Sequence, residues 1–311
     1  MTAGTHGRPT ILFVAGWGRS GSTLLGRMLG ELPDTTCAGE MWNVWDLGFH
    51  RNLLCGCGAH FRECPFWTAV ADRAYGGLDV IEGKPFTKQL RAAARMRTIP
   101  RLLRAADRGV RDDALARVVD VVGGLYRAVH EVAGGRVIVD VSKNPQLAFL
   151  LRLLPDFDVV VLHLVRDSRA VSYSWLREVR RPEVTHRASY IPRYRPSRSA
   201  AMWMLGNGAS EVLRRASEQP LFVRYEDLVA HPRATLETIA ARIGTTVPGA
   251  LFPAEGTVAL GPQHLAAGNP MRFDRGEVEL KADEEWRDHR TPVAVTALTA
   301  PLLLRYGYPL R

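Results

Sequence analysis

Short runs of apolar residues alternate with helical patterns along the chain. The first run, ILFVA at 11–15, holds five consecutive apolar residues, which is typical of a strand buried on both faces. Further strands are predicted at 35–38, 136–141, 159–165 and 221–223. Because strands that alternate with helices form parallel sheets, we predict an α/β fold, with a mainly parallel central sheet and helices on both faces.

A glycine-rich turn joins the first predicted strand to a helical pattern that begins near Leu24. The residues that define the turn are Gly16, Gly18, Arg19, Ser20, Gly21, Ser22 and Thr23. Such a turn cradles phosphate, because glycines let the backbone approach the anion and the first helical turn offers free N–H groups. The alternative is an ordinary strand-to-helix turn in which glycine only permits packing.

The turn fits the phosphate-loop motif GxxxxGK[ST], except that Ser22 stands where the motif has lysine. That lysine binds the β- and γ-phosphates of a nucleoside triphosphate. The fold is therefore predicted to be P-loop-NTPase-like, with a bound nucleotide that lacks a γ-phosphate.

The region of about 50–133, between the second and third predicted strands, is helical in pattern and holds most of the cysteines. We interpret the whole chain, 1–311, as a single domain with this region as an insert. Cys55, Cys57 and Cys64 are candidate ligands of a structural metal ion. Their spacing differs from that of common zinc fingers, so a disulfide bond and unbonded packing cysteines are the alternatives.

The formal net charge of +9 suits a protein that binds an anionic ligand. The sequence has no basic helix with interleaved aromatic residues, which argues against nucleic acid as a partner. It also has no apolar run of the roughly 18 residues that a membrane helix needs, and its first residues lack the pattern of a signal peptide. We therefore expect a cytoplasmic protein without stable membrane insertion, and the sequence indicates no oligomeric state.

Charged residues follow two of the predicted strands, at the position where ligands bind in open α/β sheets. Glu40 is a candidate general base, and Lys143 is the lysine nearest to the presumed phosphate. A solvated surface position is the alternative for both. Asp140, on the strand that precedes Lys143, is similar in position to the Mg²⁺-binding carboxylate of an NTPase.

A second candidate anion site follows the strand at 159–165. Arg166 ends this strand, and Ser174 lies eight residues later on a helix predicted at 168–178. An arginine at the carboxyl end of a strand and a serine two helical turns away are placed to bind one anion. A purely structural pair of Arg166 with Asp167 is the alternative.

The glycine-rich turn and the segment LVRDSRAVSYS at 164–174, in this order, resemble the sulfotransferases that use 3′-phosphoadenosine 5′-phosphosulfate (PAPS). The motifs are nearest to the branch that includes the protein-tyrosine sulfotransferases. The resemblance implies PAPS as donor, 3′-phosphoadenosine 5′-phosphate (PAP) as product, and no catalytic metal. The residues it assigns to the 5′-phosphosulfate are Arg19, Ser20, Gly21, Ser22 and Thr23. It assigns Arg166 and Ser174 to the 3′-phosphate.

The resemblance also implies further site residues. RYEDLVAHPRATL at 224–236 nominates Tyr225 as a nucleotide contact. HLAAGNPMR at 264–272 is similar to a loop that closes over the cofactor, which nominates Asn269 and Arg272. Gly39-Glu40 is similar to a Gly-Glu pair whose glutamate is the catalytic base.

One position departs from this branch. The branch carries a second arginine four residues beyond the serine, where this chain has Glu178. Arg177 is adjacent but lies on a different face of the predicted helix. Neither residue is therefore included in the predicted site.

The implied activity is the in-line transfer of a sulfuryl group from PAPS to a hydroxyl or amine. Glu40 takes the acceptor's proton and Lys143 stabilises the leaving phosphate, with His163 and His264 as the next candidates for the base. The acceptor is a small molecule, glycan, lipid or peptide that contacts the insert, a loop predicted at 180–198 and the C-terminal region. Two alternatives stay open: a P-loop kinase or NTPase without its lysine, and a nucleotide-binding module without turnover.

Overall fold

The structure, a computed structural model, describes residues 7–109, 112–184, 188–289 and 292–310. The first six residues, considered above for a signal peptide, and residues 185–187 of the predicted 180–198 loop lie outside these ranges. Within the described ranges, no helix is long and apolar enough to cross a membrane.

Five parallel strands form the central sheet. In chain order they are β1 (Thr10–Gly16), β2 (Thr35–Gly39), β3 (Val137–Lys143), β4 (Asp158–Val165) and β5 (Leu221–Arg224). Their spatial order is β2-β3-β1-β4-β5, so β1 lies in the middle and pairs with both β3 and β4. The prediction of a mainly parallel α/β sheet is confirmed.

Helices cover both faces of this sheet. The α-helices are α1 (Ser22–Leu29), α2 (Pro65–Tyr75), α3 (Gly83–Ala93), α4 (Ile99–Arg108), α5 (Asp113–Ala133), α6 (Pro145–Leu151), α7 (Ser168–Ser174), α8 (Pro196–Arg215), α9 (Tyr225–Ala230), α10 (Pro232–Ile243) and α11 (Val293–Arg305). Along β1, Ile11 and Phe13 pack with residues of α2 to α6, while Leu12 and Val14 pack with α1 and α10. Because successive strand residues point to opposite faces, the sheet separates two apolar cores.

The predicted insert is mainly helical, with its cysteine-containing turn before α2 and a non-helical connection at 76–82 between α2 and α3. Its buried side chains, such as Trp67 and Val122, pack in the same apolar cluster as Phe13 of β1. This shared core holds the insert against one face of the sheet. The shorter helical turns of the chain are Met41–Asn43, Phe61–Glu63, Met96–Thr98, Gly249–Leu251, Pro270–Phe273 and Glu285–Asp288, with a π-helical turn at Trp45–His50.

α7 is shorter than the predicted helix and ends at Ser174. Beyond it, the backbone of Val179 pairs with Ile191 and that of Arg181 pairs with Ser189. This ladder needs an extended backbone, so the helix does not continue to Glu178 as the sequence pattern predicted. The residues between Ser174 and Val179 therefore do not occupy the helical positions that the sequence pattern predicted for them.

The sequence pattern also does not predict three short elements. β6 (Thr257–Leu260) and β7 (Gly276–Glu279) form a small antiparallel pair, and α9 begins directly after β5. The four residues of β7, GEVE, include one apolar side chain, and α9 has six residues, so neither is long or patterned enough to show a period.

Candidate active site

The phosphate loop lies between β1 and α1. Gly21 precedes the first residue of α1 and adopts a left-handed backbone with φ of 82°. A Cβ atom at Gly21 would lie 2.5 Å from the Tyr225 ring, so only glycine fits. Among the described residues, no side chain caps the N-terminus of α1. The N–H groups of its first turn are therefore available to an anion.

The hydroxyl groups of the loop differ in their surroundings. Ser22 and Thr23 line a cleft above the loop, and Thr23 Oγ1 accepts a hydrogen bond from the Asn269 N–H at 3.2 Å. Ser20 is 1% exposed, and its Oγ has no hydrogen-bond partner among the described residues. All three side chains are largely buried, but only Ser22 and Thr23 line the cleft, so these two are the hydroxyl groups that a ligand there would meet.

Arg166 lies at the carboxyl end of β4, as the sequence predicts. Its guanidinium donates to the Arg19 carbonyl at 3.2 Å and lies 4.5 Å from the centre of the Tyr225 ring. Arg19 donates from Nε to Ser174 Oγ at 3.0 Å. The structure therefore brings together four predicted cofactor residues that come from the phosphate loop, β4, α7 and α9.

Arg177 and Asp283 join this group, although the sequence pattern indicated neither. Asp283 forms a 3.0 Å ion pair with Arg166 and a shorter one with Arg177. Arg177 is free to approach Asp283 because it lies beyond the end of α7 rather than on a helix face. The sequence pattern excluded Arg177 because it predicted a helix to 178, on which Arg177 would lie on a different face. The helix ends at Ser174, so this reason does not apply.

Arg166 and Arg177 pair with Asp283, and Arg19 lies close enough to feel the charges of all three residues. We call Arg19, Arg166 and Arg177 the arginine cluster. Burial, and then the positive charges of Arg177 and Arg166, lower the pKa of Arg19 to about 10. Burial opposes the ionisation of Asp283, but its bonds with Arg166 and Arg177 outweigh this effect and lower its pKa. The excess of positive charge favours an anionic ligand.

Glu40 and Lys143, the predicted catalytic residues, form an ion pair at the same cleft. Lys143 Nζ is 2.6 Å from Glu40 Oε1 and 2.9 Å from the Val141 carbonyl oxygen. Asn43 Nδ2 donates to the other carboxylate oxygen of Glu40 at 2.8 Å. Lys143 adopts a positive φ of 67° at the point where the pairing of β1 with β3 shifts register. The pair fixes the carboxylate at the cleft wall.

The cleft has a volume of about 530 Å³, within the range of pockets that bind small molecules and cofactors. It lies at the carboxyl ends of the strands, the usual ligand position in such sheets. The predicted residues that line it are Arg19, Gly21, Ser22, Thr23, Glu40, Lys143, Arg166, Ser174, Tyr225 and Asn269. Among the described residues, Ser20 and Arg272 were predicted for the site and do not line the cleft.

Arg272 is buried beside the cleft and is only 3% exposed. Its guanidinium donates to the carbonyl groups of Gly268 at 2.5 Å and of Leu54 at 3.4 Å. Burial lowers the pKa of Arg272. Arg272 therefore anchors the loop at 263–272 to the insert in this structure, and its contact with a cofactor stays a prediction.

The two histidines considered as further candidates for the base lie elsewhere. His163 is fully buried, and its Nε2 is 3.0 Å from Asn207 Oδ1. His264 lies among the cysteines of the insert, with its Nδ1 3.2 Å from Cys64 Sγ. Neither is among the described residues that line the cleft, so neither is placed to take a proton from a ligand there.

No protein-family model matches the sequence, and no curated protein matches it. Among solved structures, the chain is similar to the sulfotransferase domain of the olefin synthase from Synechococcus PCC 7002, with 21% identity and a TM-score of 0.53 over 99% of this chain and 98% of that one. It is also similar to the sulfotransferase domain from the curacin biosynthetic pathway, with 17% identity and a TM-score of 0.52 over 97% of this chain and 99% of that one. Both likenesses extend over nearly the full length of each chain. The chain therefore has the fold of these sulfotransferase domains, as the sequence motifs predicted.

The arrangement around Asp283 predicts how this carboxylate affects anion binding. Asp283→Asn removes the negative charge that competes with a ligand for Arg166 and Arg177, so we expect severalfold tighter binding of PAP. Isothermal titration calorimetry measures the change. Glu284→Gln is the matched control, because Glu284 is exposed and pairs with Arg287 instead. Unchanged or weaker binding by Asp283→Asn would show that Asp283 does not compete with the ligand.

Proposed function

We propose that this chain is a sulfotransferase that moves a sulfuryl group from PAPS to a hydroxyl or amine and releases PAP. The observation that carries the proposal is the arginine cluster beside the phosphate loop. The cleft then has two anion-binding regions, which fits a nucleotide with phosphate groups at two separate positions. A triphosphate chain bound along the loop alone would not need the second region.

In this proposal, the two regions divide the nucleotide between them. The backbone of the phosphate loop, with Ser22 and Thr23, holds the 5′-phosphosulfate. The 3′-phosphate binds Arg166 and Ser174, and Arg177 adds a further guanidinium. The 3′-phosphate then displaces the Asp283 carboxylate from its ion pairs with Arg166 and Arg177.

The transfer step follows from this placement. The acceptor oxygen or nitrogen attacks sulfur, a new bond to sulfur forms, and the bond from sulfur to the 5′-phosphate oxygen breaks. Glu40 takes the proton of the acceptor, and Lys143 stabilises the charge that grows on the leaving phosphate oxygen. The protein mainly positions the groups, as in phosphoryl transfer.

The position of Asp140 argues against the kinase or NTPase alternative. A carboxylate that binds Mg²⁺ for a nucleotide must face the phosphates. Asp140 is fully buried, and it accepts hydrogen bonds from Tyr126 at 2.5 Å and from the Ser142 N–H at 2.8 Å. Burial raises its pKa to about 6, and Asp140 is not among the described residues that line the cleft.

The nucleotide preference tests the proposal directly. PAP should raise the melting temperature because it fills both anion-binding regions, AMP should raise it less, and ATP with Mg²⁺ should have little effect. Differential scanning fluorimetry measures all three. Stabilisation by ATP with Mg²⁺ but not by PAP would favour a kinase or NTPase. Binding of PAP without release of PAP from PAPS, in the presence of a native extract as a source of acceptors, would favour a non-catalytic module.

Arg166→Ala should weaken PAP binding by on the order of 2–3 kcal/mol, because a phosphate then loses a charged hydrogen-bond partner. Calorimetric titration measures the affinity. Arg8→Ala is the control, since Arg8 is an exposed arginine that pairs with Asp158 at the start of β4. Equal affinities of the Arg166→Ala variant and the native protein would remove Arg166 from the site.

Glu40→Gln should lower turnover by about 10²- to 10⁴-fold, the usual contribution of a general base, with nearly unchanged PAP affinity. The amide keeps the shape of the side chain and an oxygen that accepts from Lys143. Release of PAP from PAPS in the presence of an acceptor extract measures turnover. Glu255→Gln, at an exposed glutamate, is the matched control. Full activity of Glu40→Gln would assign the base to another group.

A further inference from the structure

Three cysteines of the insert and one distant histidine meet at one point. Cys55, Cys57 and Cys64 come from the insert, and His264 lies 200 residues beyond Cys64 in the loop at 263–272. Each offers one ligand atom, and the four atoms all lie within 4.8 Å of one another. We propose that Cys55, Cys57, Cys64 and His264 bind one Zn²⁺ ion. We call these four residues the zinc cluster.

The distances in the zinc cluster fit a tetrahedral site. Cys64 Sγ is 3.7 Å from both Cys55 Sγ and Cys57 Sγ. Two sulfur ligands of a tetrahedral zinc ion, each about 2.3 Å from the metal, are about 3.8 Å apart. The Nδ1 atom of His264 is 3.2 Å from Cys64 Sγ and 4.0 Å from Cys55 Sγ. These distances bracket the roughly 3.6 Å expected between a nitrogen and a sulfur ligand of one zinc ion. A metal ion at the centre needs only small adjustments of these side chains.

The surroundings of the zinc cluster orient its ligands. The His264 ring stacks on Phe66 with centres 5.0 Å apart, and the His264 carbonyl accepts a hydrogen bond from Trp67 Nε1 at 2.9 Å. The N–H groups of Cys57 and Trp67 point to the sulfurs of Cys55 and Cys64. Such contacts fix ligand orientation around protein-bound metals.

The donor set identifies the metal and its role. Three thiolates and one imidazole form a common structural zinc site, and four protein ligands leave no open position for catalysis. A disulfide explains the group less well, because two of the three thiols can pair at most and the histidine then has no role. All three thiols are unbonded in the structure.

The zinc ion would connect the insert to the wall of the candidate active site. In the loop at 263–272, the Ala267 carbonyl accepts a hydrogen bond from the Glu40 N–H at 3.1 Å. The Asn269 N–H of the same loop donates to Thr23 Oγ1. Ligation of His264 therefore restrains the backbone that borders both the predicted base and the phosphate loop. The zinc ion has a structural role and takes no part in the transfer step.

Metal analysis of the purified full-length protein tests the proposal. Inductively coupled plasma mass spectrometry should find one zinc per chain, and Cys57→Ser and His264→Ala should each lose most of it. Cys37→Ala is the matched control, since Cys37 is a buried cysteine on the opposite face of the sheet and should leave the zinc content unchanged. Cobalt in place of zinc should give the charge-transfer and d–d absorption of a tetrahedral thiolate site.

Several outcomes would overturn the zinc cluster. The first is a native protein that carries no zinc and, after reduction, does not take zinc up from a chromophoric chelator. The second is a stoichiometric content of iron in place of zinc. The third is full zinc content in the His264→Ala variant. Circular dichroism separates metal loss from unfolding in the variants, and the measurement on the native protein does not depend on them. None of these readouts involves PAPS, so the proposed activity and the zinc cluster succeed or fail separately.

Discussion

Three guanidinium groups in one partly buried place repel one another, and this constraint governs the candidate site. Arg19 has a lowered pKa because it lies in a buried position near Arg177 and Arg166. Asp283 compensates part of the charge by bridging two of the three arginines. A protein keeps such an arrangement at a cost in stability, and an anionic ligand relieves it. Glu285 also pairs with Arg177, so the three guanidinium groups meet two carboxylates among the described residues and keep an excess of positive charge.

The order of the strands determines which residues share this cleft. β1 lies between β3 and β4, so the phosphate loop that follows β1 has Lys143 on one side and Arg166 on the other. The edge strand β2 adds Glu40 next to Lys143. The parallel direction of all four strands places these carboxyl ends at one edge of the sheet. The candidate site is thus assembled from four segments that are far apart in the sequence.

The sequence motifs nominated most of the residues that line the cleft, including Arg166 and Tyr225 from distant segments, but not Arg177 or Asp283. The run at 11–15 and the glycines after it carry the strand and the phosphate loop within one short segment. Arg177 was excluded because helix periodicity extends past Ser174, whereas the end of α7 is set by the pairing of 179–181 with 189–191. Asp283 gives no local signal, because its role comes only from the folded position of Arg166.

His264 likewise gives no local sequence signal of its place in the zinc cluster, because it meets the cysteines only in the folded chain. Its position also bears on how the loop at 263–272 is held in one conformation. Ordering each loop residue costs about 1–2 kcal/mol of backbone entropy. Hydrogen bonds to Ala38, Glu40 and Thr23 offset part of that cost at one side of the loop. A metal ligand at His264 fixes the other end, which leaves fewer conformations for the residues between them. The zinc cluster, although outside the cleft, would then help to position the loop backbone that hydrogen-bonds to Glu40 and Thr23.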